Sequence, residues 1–251
     1  CLMIKSVFNA YSKYYDLLYL DKDYIGEAKY VEKQLKNNGI NKGDILEFGS
    51  GTGKHGRLLA ESGYKVHGIE LSSEMVDLAE ITEGFSCQQG DICNISMERK
   101  FDAVISLFHV VSYQVSNDEL ESVFYNAANH LDSDGIFIFD FWYSPAVYNN
   151  IPSVRIKKMS DDTVDITRIA EPNMYLNENR VDVEYTIFAR DKNSGEFDRF
   201  SESHSIRHLS LPEIDIFASK TGFKRICSEE FLTGKKPGPD TWGVCVVLKK
   251  T

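Results

Sequence analysis

The segment Ile45-Leu46-Glu47-Phe48-Gly49-Ser50-Gly51-Thr52-Gly53-Lys54-His55-Gly56 constrains this chain more than any other. A short, mostly apolar run from Asp44 to Phe48 enters a cluster of glycines. Helical spacing follows from Lys54 to Ser62 and stops at Gly63. Glycines tolerate positive φ and let a ligand approach the backbone closely. The start of the helix adds unpaired N–H groups. A strand, a glycine turn and a helix in that order build a cradle at the carboxyl edge of a parallel sheet.

The same alternation continues along the chain. Strands are expected at Lys65 to Ile69, Phe85 to Gln88, Phe101 to Leu107 and Ile136 to Phe141. Helices are expected at Ser73 to Glu80, with Ser72 or Ser73 as N-cap, and at Asp118 to Leu131. Near-continuous apolar strands alternating with helices predict a parallel sheet covered on both faces. After Pro145 the pattern changes to polar-apolar alternation at Val154 to Lys158, Val164 to Ile169, Arg180 to Ala189 and Glu196 to His204, separated by turn signals. A helix from Leu211 to Thr221 and two last strands, Phe223 to Ser228 and Val244 to Lys249, resume the first pattern. The expected fold is α/β: a doubly wound, mostly parallel seven-stranded sheet of Rossmann-like form with an antiparallel β insertion. The expected divisions are an N-terminal helical lid over 1–40, a core over 41–148 and 205–251, and the insertion over 149–204.

At 251 residues the chain has room for one large domain or a domain with an insertion. Its net charge of −10 argues against a nucleic-acid partner, which calls for a basic face. No apolar run approaches the roughly 20 residues of a membrane helix, so no membrane partner is expected. Five widely spaced cysteines with no CxxC pair disfavour disulfides and a zinc site, and suit a reducing cytoplasm. No metal-ligand cluster stands out. The partner that remains is a small molecule, met by a monomer or homodimer.

Two ligand classes compete for the glycine loop. Gly51-x-Gly53-x-x-Gly56, with Glu70 nineteen residues after Gly51, matches a dinucleotide fingerprint and suggests an NAD-binding oxidoreductase. The alternative runs Glu47, Gly49, Gly51, Gly53. It fits better, because the strand ends at Phe48 and the turn therefore starts at Gly49. A carboxylate at the strand's mouth also repels a pyrophosphate and suits a cation, by a few kcal/mol at an effective dielectric of about 20.

With this loop the sequence resembles the class I S-adenosylmethionine-dependent methyltransferases. Gly68-Ile69-Glu70-Leu71-Ser72-x-x-Met75 looks like that family's second motif, Gln89-Gly90-Asp91-Ile92 like its adenine motif, and Phe101-Asp102-Ala103-Val104 like its fourth-strand motif, followed by Ser106-Leu107-Phe108. The resemblance implies S-adenosyl-L-methionine as cofactor and S-adenosyl-L-homocysteine as product. It implies that Glu47, Gly49, Gly51 and Gly53 shape the methionine end. Glu70, with Leu71 and Met75, would hold the ribose, and Gly90, Asp91 and Ile92 the adenine. Leu107 would border the cofactor.

The acceptor side would lie at the carboxyl ends of the fourth and fifth strands and under the N-terminal segment. Candidates there are His109, Tyr113, Trp142, His204 and Arg207, with Tyr11, Tyr15 and Tyr24 from the lid. Tyr11, Tyr14 and Tyr19 also suit packing of an amphipathic lid helix. His55 reads as a helix-face residue rather than a base. A narrower resemblance rests on Tyr15-Asp16-Leu17, Lys22-Asp23-Tyr24, Ser112-Tyr113, Asp140-x-Trp142 with Pro145, Glu202-Ser203-His204-x-Ile206 and Gly238-Pro239. These look like the N,N-dimethyltransferases of nucleotide-linked amino sugars. In that group the residue matching Tyr15 faces the sugar amine, that matching Tyr113 lies near it, and that matching Tyr24 approaches the cofactor's carboxylate. Asp140 and Phe141 depart from the group's usual glutamate and proline. The expected activity is methyl transfer to a small acceptor, the amine of a sugar nucleotide, with Tyr15, His109 and Tyr113 acting on it. O-methylation of a hydroxylated or carboxylated metabolite, and binding of the cofactor without chemistry, are the alternatives within the same fold.

Overall fold

A computed structural model describes Tyr14 and residues 17–251. Tyr11 and Tyr15 lie outside the described residues.

Five parallel strands form the body: β1 (Asp44–Phe48), β2 (Lys65–Glu70), β3 (Phe85–Gln89), β4 (Phe101–Ser106) and β5 (Leu131–Trp142). Between and around them run α1 (Tyr24–Asn37), α2 (Lys54–Glu61), α3 (Ser73–Leu78), α4 (Asn117–His130) and α5 (Ser144–Asn149). The chain then leaves for an antiparallel sheet of β6 (Arg155–Ser160), β7 (Val164–Tyr175), β8 (Arg180–Asp191) and β9 (Phe197–Arg207). It returns through α6 (Leu211–Lys220) to β10 (Phe223–Glu230) and β11 (Gly243–Lys250). The main sheet has seven strands in the order β10-β11-β5-β4-β1-β2-β3, and β11 is antiparallel to both its neighbours. This is the Rossmann-like fold expected from the sequence.

Strand periodicity sorts the core into two layers. Leu46, Phe48, Val104, Phe137 and Phe139 point to the layer shared with Phe124 of α4 and Phe217 of α6. Ile45, Ala103, Ile105, Ile136 and Ile138 point to the other, against Tyr30, Val31 and Leu35 of α1 and Leu59 of α2. In the first layer the Phe124 ring meets Phe137 at 5.7 Å and Phe139 at 5.4 Å, both edge-on. Phe124 is fully buried, so Phe124→Ala is expected to cost about 3–5 kcal/mol, read as a lower urea midpoint at unchanged slope.

Three local features differ from the sequence expectation. β5 starts at Leu131 rather than Ile136, because fully buried Leu131 pairs with Phe101 and this outweighs the turn chemistry of Asp134-Gly135. A helix at Ser144–Asn149 was not expected; Pro145 sits in its first turn, where a missing N–H costs nothing. The insertion also runs on to Arg207, with β7 and β8 paired across their whole lengths.

The insertion packs on both neighbours. Val181 and Val183 meet Val147, Trp142 and Trp242 of the core. Ile166, Ile187 and Ala189 pack with Leu18, Tyr14, Leu17 and Tyr19 of the N-terminal segment. Lys157 Nζ ties the two together by donating to the Leu18 carbonyl and to Asp21, both at 2.7 Å.

His208, just beyond β9, is fully buried with Nδ1 2.9 Å from Ser144 Oγ. Burial pushes its imidazole down to about 4. Unfolded, it titrates near 6.5. As pH falls below about 6.5 the unfolded chain takes up a proton that the native state refuses, so stability is lost between about pH 6.5 and 4. The stability difference between the unaltered chain and His208→Gln, read by chemical denaturation across that range, is expected to show the loss.

Candidate active site

The carboxyl ends of β1 to β4 converge on one edge. The strand order reverses between β1 and β4, which opens the crevice where α/β sheets bind ligands. β1 turns at Gly49, φ +71°, and continues through Gly51 (φ +55°) and Gly53 (φ +79°) into α2. A Cβ on Gly49 would lie 2.5 Å from both Val110 methyls. Gly49→Ala therefore combines a clash with left-handed strain, and a melting temperature several degrees lower is expected.

Across this turn, Glu70 at the end of β2 accepts from the Gly51 amide at 2.8 Å and from the Ser72 amide at 2.9 Å. Burial raises its pKa, and the Ser72, Gly51 and Leu71 amides oppose that rise. Leu71 is 39% exposed at the rim, whereas Met75 is the buried residue of α3. After β3, Gly90 leads to Asp91, whose Oδ1 accepts from Cys93 N at 2.9 Å, and to buried Ile92. Leu107 is buried behind the end of β4.

Glu47 is 1% exposed and its Oε2 has no hydrogen-bond partner among the described residues. Burial pushes its carboxyl up to about 8; the neighbouring Glu70 adds to the rise and the Gly56 amide opposes it. A buried carboxyl with an unmatched oxygen beside open glycine backbone suits a ligand bringing positive charge. That is the fit expected of S-adenosylmethionine, and a second carboxylate on Gly51 suits its ribose.

Beneath the loop lies a cluster that the sequence reading missed. Glu27 of α1 accepts from Lys22 and lies 2.6 Å from His55 Nε2, and Lys22 Nζ is 3.4 Å from the same nitrogen. Burial acts to raise the Glu27 carboxyl, but His55 and Lys22 together hold it below its ordinary value. Burial holds the His55 imidazole below its ordinary pKa, so His55 is a buried hydrogen-bond partner of Glu27. Lys22 Nζ also stands 4.3 Å over the Tyr24 ring and 4.5 Å over Phe108, bridging the helix side of the crevice to the end of β4. The available signal was Glu27 interrupting the apolar stripe of α1.

The chain leaves β4 through strained backbone. Phe108 and His109 are consecutive non-glycine residues at φ +63° and +61°. Such conformations cost about 1–3 kcal/mol each and persist where neighbours enforce them. Here fully buried Asp140 of β5 accepts from the His109 amide, and its Oδ2 lies 2.7 Å from His109 Nδ1. Burial alone would raise the Asp140 carboxyl; the facing His109 and the nearby Lys22 hold it low. The His109 ring meets Trp142 at 6.3 Å, and Trp142 meets Trp242 edge-on at 5.6 Å.

A cleft of about 260 Å³ opens beside these tryptophans, between the core and the insertion, lined also by Tyr185, Arg155 and Arg168. The sequence reading did not select these last three, because they become neighbours only through β6, β7 and β8. His204 is buried and turned toward Tyr113 rather than toward this cleft: its Nδ1 lies 2.9 Å from the Tyr113 hydroxyl. Arg207 reaches the Val115 carbonyl at 3.5 Å and Glu213 at 3.4 Å, stitching β9 to α6.

Residues 45–135, which carry the glycine loop and Glu70, Asp91 and Leu107, match the family model described as "Methyltransferase domain". With the cradle just described, this makes the chain an S-adenosylmethionine-dependent methyltransferase. Within that class it is 27% identical, over 92% of its own length and 94% of the other's, to dTDP-3-amino-3,4,6-trideoxy-alpha-D-glucopyranose N,N-dimethyltransferase from Streptomyces venezuelae. Among solved structures the fold resembles an S-adenosylmethionine-dependent methyltransferase from Clostridium acetobutylicum, with a TM-score of 0.80 at 24% identity, covering 96% of this chain and 99% of that one. It also resembles an amino pentose methyltransferase of calicheamicin biosynthesis from Micromonospora echinaspora, with a TM-score of 0.77 at 21% identity, covering 97% and 98%. The dinucleotide-binding alternative is set aside.

Proposed function

We propose that the chain methylates the amine of a sugar nucleotide. The observation that carries this reading is the cleft beside Trp142. In a chain of net charge −10, two arginines, Arg155 and Arg168, line a space walled by Trp142, Trp242 and Tyr185. Guanidinium groups suit phosphate oxygens, and aromatic walls suit rings. The named activity of the Streptomyces venezuelae relative, on a dTDP-amino sugar, supports the same choice.

Bound S-adenosylmethionine supplies an electrophilic methyl group. The chain's part is to hold, align and keep dry. Glu70 and the Gly49–Gly53 turn would hold the donor, with Tyr24 at its carboxylate end. Asp140, facing His109, fixes the imidazole at the mouth of β4, 6.3 Å from Trp142, where it borders the acceptor. Alignment of this kind is worth several kcal/mol of barrier. His109, Tyr113 and Tyr15 are the residues assigned to the acceptor side, and Trp142 is part of its wall. The four described cysteines are free, which suits a cytoplasmic enzyme.

Acceptor profiling with methyl-labelled cofactor tests the reading. Label is expected on the amine of a dTDP-linked amino sugar, with turnover reduced at least tenfold in the Arg155→Ala, Arg168→Ala double variant. Label on hydroxyl or carboxyl metabolites and none on amines would establish O-methylation instead.

A further inference from the structure

A line of three side chains runs from the 3-10 turn after β4 into the insertion. The Tyr113 hydroxyl lies 2.9 Å from His204 Nδ1, and His204 Nε2 lies 3.3 Å from Glu202 Oε2. The side chains of His204 and Glu202 are 4% and 7% exposed. Tyr185 of β8 meets the His204 ring edge-on at 4.9 Å and fixes its plane. Among the described residues, groups facing the line from packed elements include Tyr185, Arg168 of β7, Tyr19 of the N-terminal segment and Glu70 of β2.

Hydrogen-bond chemistry gives this line a direction. An ionised carboxylate only accepts. Facing Glu202, His204 therefore carries its proton on Nε2, which leaves Nδ1 an acceptor. The phenol of Tyr113 must then donate its single hydrogen to His204, so toward any further partner Tyr113 Oη is an acceptor.

We propose that His204 and Glu202 are positioning residues that make Tyr113 a hydrogen-bond acceptor and proton outlet for the acceptor's nitrogen. The inference rests on the amine reading of the acceptor. An ammonium N–H breaks as an O–H forms at Tyr113 Oη. The original Tyr113 O–H breaks as an N–H forms at His204 Nδ1. The positive charge thus moves from substrate nitrogen to the imidazolium, opposite the Glu202 carboxylate. No electron acceptor is needed. Burial holds the Tyr113 phenol well above its ordinary pKa, which closes the route through a free phenoxide and leaves the coupled transfer. The arrangement also selects for a nitrogen that donates a hydrogen bond.

Two measurements test it. Histidine 15N NMR on the full chain at neutral pH is expected to show His204 protonated on Nε2; protonation on Nδ1 alone overturns the proposal, whatever the acceptor proves to be. Kinetics with an amino-sugar nucleotide form the second. His204→Ala is expected to lower kcat by about 100-fold with KM within threefold, and to move the acid limb of the kcat profile. Glu202→Gln is expected to shift that limb without abolishing turnover, and Tyr113→Phe to add no further loss in the His204→Ala background. Binding of S-adenosylhomocysteine by each variant verifies folding, and His204→Gln serves where His204→Ala fails it. A folded His204 variant with unchanged kcat and pH profile overturns the proposal. If no amine is methylated by the unaltered chain, the functional reading fails, and the proton outlet for an amine falls with it.

Discussion

Glu70→Ala is expected to weaken binding of S-adenosylhomocysteine by at least about 100-fold while leaving the chain folded. The carboxylate is 8% exposed and spans the Gly51 and Ser72 amides. Bonds of this charged kind are worth about 1.5–3 kcal/mol each. Losing one that a ribose would use, together with the restraint on Gly51, therefore amounts to about 3 kcal/mol. Titration calorimetry reads the effect directly, and Glu70→Asp is expected to fall between the two. Wild-type affinity in Glu70→Ala would remove Glu70 from the cofactor site and weaken the assignment of the whole crevice.

Glu47→Gln is expected to flatten the alkaline decline in stability. Folded, the Glu47 carboxyl sits at about 8 against 4.5 in the unfolded chain. A raised carboxyl contributes its full stability below about pH 4.5 and loses it as pH climbs toward 8, because only the unfolded state releases the proton easily. At 1.36 kcal/mol per unit, the span amounts to about 5 kcal/mol. Denaturation of the free protein from pH 6.5 to 8, above the range in which His208 acts, is expected to show a decline that Glu47→Gln flattens. A cation seated against the carboxylate lowers its pKa. Donor binding at pH 7 is therefore expected to release a proton, visible as a binding enthalpy that changes with buffer, and Glu47→Gln to abolish the dependence.

The sheet was legible because its signals are local. β1 ends where the glycines begin, and Ser72, Ser116 and Ser210 cap their helices by accepting from backbone amides three residues on. Glu47, Gly51, Glu70 and Asp91 share one edge because parallel register aligns strand ends, so spacing along the chain translated into proximity. The acceptor side was less legible. Arg155, Arg168 and Tyr185 stand on three strands whose common face is set by antiparallel register, and no spacing announces it. His204 was chosen for its chemistry, but its turn toward Tyr113 depends on the packing of β9 against the turn after β4. Asp140 was noted as a departure from a usual glutamate. Its tie to the left-handed His109 came only with the backbone angles.

The attachment of Leu18 and Tyr19 to β7 and β8 has an evolutionary cost. Segment and insertion are packed as one piece, although almost 140 residues of chain separate Leu18 from Lys157. A recombinant that exchanges the β6–β9 module for a relative's inherits mismatched apolar partners unless Tyr14 and Leu17 to Tyr19 travel with it. New acceptor preferences in such enzymes are therefore gained by paired crossovers more readily than by single ones.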